Sequence, residues 1–418
     1  MTPKAAEALE PLFKVVLGHD MPVGVEFWDG SRLGPTESPA RVVVRSPDAL
    51  RRILYSPNEL GFARAYVWGD ADIEGDIYAA VRLMADVAPD DLRIGLRPLL
   101  STVRAAFELG VIGRPLPAPP EEVRLRGRLH SKRRDASAVS HHYDVSNDFY
   151  RLFLGSTMTY SCARFVEAGN DLDTAQTAKY DLICRKLGLE RGMRLLDVGC
   201  GWGGMVMHAA RTYGVEAVGI TIARQQHELA SKRVAEAGLA GQVEIRLQDY
   251  RDLHAETFDA ISSIGMFEHV GLDRMAEYFT VLHAVLRDHG RLLNHAISTP
   301  NGSRYSNRSF LARYVFPDGE LQDVGTVVKA MQQAGFELRD VESMREHYAL
   351  TLRQWVANLE ANWDEAVRIV GERRARVWRL YMSGSAVSFE NNDVAIHQAL
   401  GVKTAADGTS GMPLARTW

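Results

Sequence analysis

Gly199-Cys200-Gly201-Trp202-Gly203-Gly204 is the densest chemical signal in the chain. The apolar run Leu195-Leu196-Asp197-Val198 precedes it as a short strand, and a helical stretch to Tyr213 follows. A glycine turn between strand and helix brings bare backbone and a helix N-terminus up to a nucleotide-type ligand. Gly199, Gly201 and Gly204 fit the dinucleotide pattern GxGxxG, the first permitting a tight turn and the second a close backbone approach. A dinucleotide site also needs a carboxylate about 20 residues on, at the end of the next strand, for the ribose hydroxyls. That strand ends in Gly219-Ile220-Thr221 without one, so a nicotinamide cofactor is disfavoured and Asp197 points to a different ligand.

Other reactive residue types are sparse. His141, His142 and His269 raise the question of a metal, but they lack an i, i+4 or cysteine-rich ligand set, and no metal is expected. The three cysteines, Cys162, Cys184 and Cys200, have neither metal-like spacing nor a disulfide pattern, and read as reduced thiols of a cytoplasmic protein.

The elements that must position the glycine loop follow from length and pattern. A chain of 418 residues suggests two to three domains at about 150 residues each. Hydrophobic residues at 46% and charged residues at 24% exclude a disordered or fibrous chain. Lys plus Arg number 49 against 53 Asp plus Glu, a net charge of −4 that gives no nucleic-acid signal. No run approaches the roughly 18 apolar residues of a membrane span, and Glu7 and Glu10 argue against a secretory signal.

Residues 1–115 read as a smaller α+β domain. Val23, Val25 and Phe27 alternate as a strand, Arg41-Val42-Val43-Val44-Arg45 forms another, and Ser46-Pro47-Asp48 opens a helix with Ser46 as its cap. Leu99, Val103, Phe107 and Val111 space as a helical stripe after Pro98. Residues 116–139 read as a linker, opening with Leu116-Pro117-Ala118-Pro119-Pro120. Arg124, Arg126, Arg128, Lys132, Arg133 and Arg134 against Glu121 and Glu122 leave a local charge of +4, suited to anionic lipid headgroups. Residues 140–418 read as an α/β domain. Helices over 174–187 and 223–237 alternate with strands at 195–198, 217–220, 243–247, 258–261 and 291–294, which predicts a doubly wound parallel sheet. Residues 340–400, with Trp355, Trp363 and Trp378, read as largely helical.

Leu195-Leu196-Asp197-Val198-Gly199-Cys200-Gly201-Trp202 resembles the first motif of class I, Rossmann-like methyltransferases that use S-adenosylmethionine. Further segments resemble one family among them, the cyclopropane-fatty-acyl-phospholipid and mycolic acid cyclopropane synthases. These are residues 141–150, Met158–Ala163, Gly219–Ile222 with Gln226, Ser263–Gly271, Tyr314–Pro317 and His347–Trp355. The likeness is strong over 140–400 and loose before it, through Gly61 to Gly69.

The resemblance implies roles residue by residue. Tyr160 and Ser161 touch the cofactor's methionine end, and Gly199 and Gly201 lie against it. Thr221, Ile222 and Gln226 hold the ribose and adenine side, and Tyr250, where the family often has Trp, stacks near the adenine. A bicarbonate ion is held by the backbone of Cys162, by Glu268, His295 and Tyr348, and by the backbone of Ile297. Read alone, Glu268 caps the following helix, His295 is a core histidine, Tyr348 a packed tyrosine and Cys162 a small hydrophobe. Many relatives carry a late Cys where this chain has Ser385, so no covalent role attaches to that position.

The expected activity is C-methylation at the cis double bond of unsaturated phospholipid acyl chains. Aligning a weak alkene nucleophile with a sulfonium methyl and excluding water supplies much of the rate. Tyr160, Phe149, Phe267 and Tyr348 are candidates to stabilise the resulting carbocation. Loss of the methyl proton closes a cyclopropane, whereas loss of another proton leaves a methylene- or methyl-branched chain, and the sequence leaves both open. A small-molecule methyltransferase is the more distant alternative, one that gives the N-terminal domain no purpose. The expected setting is cytoplasmic, peripheral on the inner face of the membrane, with a bilayer surface as partner and no nucleic acid. The resemblance also allows a homodimer.

Overall fold

A computed structural model describes residues 4–17, 21–86, 106–123, 134, 146–167, 169–300, 303–304, 309–317 and 319–418. The basic stretch 124–133, residues 141–145 of the first family segment, and Leu99 and Val103 of the expected stripe lie outside these described residues. The chain divides into two compact units, one of Met1–Arg124, Ser306–Val315 and Trp363–Val387, the other of Leu125–Tyr305, Phe316–Asn362 and Ser388–Trp418.

The first unit is built on strands β1 (Gly24–Phe27), β2 (Arg32–Leu33), β3 (Ala40–Val44) and β4 (Ala71–Gly75), in the order β2-β1-β3-β4. Val25 and Phe27 alternate inward with the period of a strand, joining Val44 and Ala65 in the core. The helix Pro47–Tyr55 starts as expected with Pro in its first turn. Ser46 does not cap it, however, because its hydroxyl turns to Asp70 Oδ1 at 3.2 Å. The next helix, Glu59–Trp68, is capped by Asn58, whose side chain accepts the Leu60 N–H. Gly61 lets these two helices touch, since a Cβ there would lie 2.0 Å from the Ser56 carbonyl oxygen.

Ion pairs tie the distant segments into this unit. Arg376, on the helix Glu372–Glu390, is nearly buried and donates to Asp72 at 3.0 Å and Glu372 at 2.9 Å. Glu122, 2% exposed, takes two 2.8 Å bonds from Arg64 and has Arg313 at 3.9 Å. Removing one partner of a buried ion pair strands the other charge. Glu122→Ala is therefore expected to cost about 3 kcal/mol, measured as a lowered unfolding midpoint in urea; an unchanged midpoint would mean the pair is solvated.

The second unit holds a seven-stranded sheet, β5 (Arg194–Val198), β6 (Glu216–Thr221), β7 (Val243–Leu247), β8 (Phe258–Ile264), β9 (Leu286–Ser298), β12 (Phe336–Ser343) and β13 (Ala395–Lys403). The short β10 (Ser303–Arg304) and β11 (Glu320–Leu321) pair separately. The order is β12-β13-β9-β8-β5-β6-β7, with β7, β6, β5, β8 and β9 parallel and β13 antiparallel to both its neighbours. Side-chain alternation covers both faces. Leu196, Val218, Ile261 and Leu292 meet the helix Met275–Val285, while Leu195, Ala217, Ala260 and Leu293 meet the helices Leu172–Leu187 and Gly204–Tyr213. This is the expected doubly wound α/β sheet.

β13 corrects the helical reading of 340–400. The helices end at Glu390, and Ala395–Lys403 is a strand buried almost continuously between β9 and β12. A strand covered on both faces loses the polar alternation that would have marked it. Among the described residues, no helix is long and apolar enough to cross a membrane.

Candidate active site

The direction of strand order reverses at β5, with β6 on one side and β8 on the other, and such a switch point opens a crevice at the strands' carboxyl ends. The cavity lies there. Tyr160, Ser161, Gly199, Gly201, Thr221, Ile222, Gln226 and Tyr250 all line it.

Each wall has a local cause. Gly199, Gly201 and Gly203 all adopt positive φ, turning β5 sharply into the helix Gly204–Tyr213. The N–H groups of Gly199 and Cys200 both donate to the Ile220 carbonyl at 3.0 Å, so this part of the loop offers close approach rather than free donors. Asp197, at the end of β5, is 2% exposed and accepts the Ser262 hydroxyl at 2.6 Å, and burial raises its pKa to about 6. After β6, Thr221 Oγ1 accepts the Ala223 N–H and donates to Gln226 Oε1 at 2.8 Å, fixing the turn. Asp249 caps a short turn that presents Tyr250, whose ring meets Tyr278 edge-on at 5.1 Å. Ser161 is fixed from two sides, its hydroxyl accepting from Lys179 Nζ at 2.9 Å and its carbonyl from Gln176 at 2.8 Å.

A second group sits beside β9. Glu268 lies on the short turn Phe267–His269 after β8, and its Oε1 accepts the Ile297 N–H at 2.7 Å. Its Oε2 is buried and finds no hydrogen-bond partner among the described residues, and burial raises its pKa to about 7. His295 is two residues before Ile297, on the same face of β9. Gln398, directly opposite on β13, donates its amide to His295 Nδ1 at 3.3 Å. An amide NH2 can only donate, so Nδ1 is the acceptor and Nε2 carries the proton of a neutral ring. Burial, reinforced by Lys179, keeps that ring neutral, and Nε2 is buried with no partner among the described residues. The His295 carbonyl accepts the N–H of Gly265, a cavity-wall residue, which couples this group to the cavity.

Tyr348 and Cys162 are linked to each other through Met344, whose carbonyl accepts the Tyr348 N–H at 3.2 Å and the Cys162 thiol at 3.7 Å. Burial drives the thiol far above its ordinary range, so Cys162 is no thiolate nucleophile. Tyr160 stacks on Trp355 at 5.1 Å, and Tyr348 meets the same indole edge-on at 6.0 Å. Phe267 packs against Tyr278 and Phe279, and Phe149 is fully buried against Tyr150 and Phe153.

Sequence reasoning missed Lys179, Gln398 and the pivot role of Trp355. For Lys179 a signal existed: with Leu172, Ala175 and Ile183 it falls on the buried stripe of its helix, where lysine is rare. Gln398 carried none, because its partner is 103 residues away. His269 lines the cavity as a neutral ring, burial lowering its pKa to about 4. Among the described residues no group of three or more His, Cys, Asp or Glu side chains could hold a metal.

A doubly wound sheet with one reversed strand and a ligand cavity over the glycine turn at its switch point defines a class I S-adenosylmethionine-dependent methyltransferase. A family profile described as mycolic acid cyclopropane synthetase matches residues 130–399. A Mycobacterium tuberculosis protein named "Probable fatty acid methyltransferase" is 43% identical, over 99% of this chain and 98% of its own. The cyclopropane-fatty-acyl-phospholipid synthase of Escherichia coli K12 is 33% identical, over 87% of this chain and 88% of its own. The crystal structure of a mycolic acid cyclopropane synthase complexed with SAH and CTAB superposes with a TM-score of 0.60. It is 35% identical and covers 64% of this chain and 97% of that one. The chain belongs to the mycolic acid cyclopropane synthetase family of methyltransferases.

Proposed function

We propose that this enzyme adds a one-carbon unit from S-adenosylmethionine across the cis double bond of phospholipid acyl chains, closing a cyclopropane. The observation that carries the reading is the pair of orphaned buried atoms, Glu268 Oε2 and His295 Nε2, coupled to the cavity wall through Gly265. S-adenosylmethionine supplies an electrophilic methyl group when bound. The chain's own residues align that methyl with the alkene, exclude water and surround the developing cation with aromatic faces. Tyr160, which lines the cavity and is backed by Trp355, offers such a face, worth about 0.5–2 kcal/mol when desolvated.

A proton must then leave the substrate. The two orphaned atoms, one an acceptor and one a donor, complement a bicarbonate ion: an ionised Glu268 Oε2 would accept its hydroxyl, and the His295 Nε2–H would donate to its oxygens. Bound there, the ion would supply a base. Tyr348 and the backbone of Cys162 would complete its surroundings. The Ile297 N–H, expected to join them, is engaged by Glu268 Oε1 and orients that carboxylate instead.

A second reading, a methyl- or methylene-branched product, gains support from the relative at 43% identity, whose name is that of a fatty acid methyltransferase. The basic residues 124–134 support peripheral attachment to an anionic bilayer on the cytoplasmic side.

The test incubates the protein with cis-monounsaturated anionic phospholipid vesicles and methyl-labelled S-adenosylmethionine, and follows the lipid by mass spectrometry. A labelled acyl chain heavier by one CH2 is expected, with product falling at high salt as the surface attraction is screened. NMR of that product separates the cyclopropane from its methylene isomer. Unlabelled lipid, with cofactor binding demonstrated, would overturn the reading.

A further inference from the structure

Lys179 has no task in the chemistry proposed above, yet it stands in the wall of the cofactor cavity. Its side chain is fully buried on the helix Leu172–Leu187. Nζ donates to Ser161 Oγ at 2.9 Å and lies 4.3 Å from the centre of the Tyr180 ring. Among the described residues no carboxylate comes within ion-pair distance of it. Lys186, equally buried one helical stretch on, meets Asp340 at 2.9 Å and Glu342 as well. A buried ammonium without a counter-charge is costly unless it can shed its proton.

The groups facing Lys179 come from every element packed on it. Asp197 lies at the end of β5, Cys162 and Ser161 on the segment before its helix, and His208 on the helix Gly204–Tyr213. His295 faces it from β9, and its own helix adds Tyr180. Burial is the largest influence and lowers the lysine to about 7, against the weaker opposing pull of the Asp197 carboxylate. Both forms are therefore accessible near neutrality.

The methyl donor and the thioether it leaves behind share their adenosine and amino-acid parts. They differ by one methyl group and one positive charge on sulfur. Thr221, Gln226 and Tyr250 would hold the adenosine, and Gly199, Gly201 and Ser161, the residue to which Lys179 donates, would line the path of the rest of the molecule. Two positive charges in a water-poor cavity repel strongly.

We propose that Lys179 makes the cavity tell the two cofactor forms apart by charge: the neutral amine admits the sulfonium, and the ammonium favours the spent thioether. The inference rests on the assignment of this cavity to S-adenosylmethionine. Its proton balance is closed. Binding the methyl donor moves one proton from the Lys179 ammonium to solvent. Methyl transfer removes the charge from sulfur, and the amine then regains a proton from solvent as the thioether awaits release. Lys179 acts here as a specificity-determining residue toward the cofactor.

Titration calorimetry of the whole protein tests this without turnover, using S-adenosylmethionine and S-adenosylhomocysteine in buffers of differing ionisation enthalpy. Below the lysine's midpoint, affinity for the methylated form should rise up to about tenfold per pH unit, with about one proton released near pH 6 and almost none near pH 8.5. Affinity for the thioether should change less than about threefold over the same range. Asp197 and Glu268 also titrate beside this cavity, and an incoming cation would expel a proton from either. The assignment therefore requires that Lys179→Met abolish the release and that Glu268→Gln retain it. Lys179→Gln, able to keep the Ser161 hydrogen bond, replaces the Met variant if that one fails to fold. A wild-type affinity ratio independent of pH, undiminished release in either lysine variant, or loss of release in Glu268→Gln would each overturn the proposal. Failure of the wild type to bind either cofactor form would instead overturn the functional reading beneath it.

Discussion

Glu268→Gln is expected to lower turnover by about 10³-fold, within the usual range for loss of acid–base machinery, while changing cofactor affinity by less than about threefold. The amide oxygen can still accept the Ile297 N–H, so the turn Phe267–His269 keeps its anchor. What changes is the other atom: an NH2 in place of Oε2 can no longer accept a proton donor or hold a charge. The same substitution should stabilise the fold at alkaline pH. Burial raises the carboxyl from its ordinary 4.5 to about 7, so the folded state binds more protons than the unfolded one across that interval. Stability is therefore lost as pH climbs from about 4.5 through about 7, reaching a penalty of about 3 kcal/mol above it. The amide carries no such penalty. Melting at about pH 8 should be higher in the variant than in the wild type, and the advantage should vanish near pH 4. A variant both inactive and less stable at alkaline pH would mark Glu268 as a structural group. Equal loss of cofactor binding would mean that the residue belongs to the other site.

Gly199→Ala should be nearly as damaging, and for steric reasons. Gly199 holds φ at +80°, which costs an alanine about 1–2 kcal/mol. Its new Cβ would also lie 2.8 Å from Cβ and Cγ of Met266. Met266 is two residues before Glu268, so relief of the clash displaces the turn that carries the carboxylate as well as the cofactor loop. Expected is a fall in kcat/KM of at least about 30-fold, from a loss of about 2 kcal/mol or more in transition-state stabilisation. Cofactor affinity and activity should fall together, measured by calorimetry and by the labelled-lipid assay. Unchanged cofactor binding would show that Met266 yields without cost.

The parts of the site that were legible in the sequence are those whose causes are local. Gly199, Gly201 and Gly203 reach positive φ without strain, so a strand running into them announces a sharp turn, and Thr221 and Gln226 reach one another across a single turn. The sheet itself was legible because residues such as Leu195 and Leu196 serve opposite layers. What was hidden depends on chain-distant neighbours. Gln398 sets the His295 tautomer from a strand whose continuous burial erased its pattern. Arg376 joins Asp72 across 304 residues, and nothing near Trp363 announces that the helices beginning there cluster with Met1–Arg124.

The place of β13 also has a bearing on how the molecule is made. It lies between β9 and β12 but follows both in chain order, and among the described residues β12 has no other neighbour in the sheet. A nascent chain that has emerged only as far as residue 394 already holds the five parallel strands and the glycine turn. It lacks the strand that covers β9 and the amide that steadies His295. Unpaired, that edge of β9 is a template for association with other chains. β13, which follows the other six strands of its sheet in chain order, thus covers β9 and brings with it the amide that supports His295. Unfinished copies are left able to form the nucleotide crevice but not the machinery beside it.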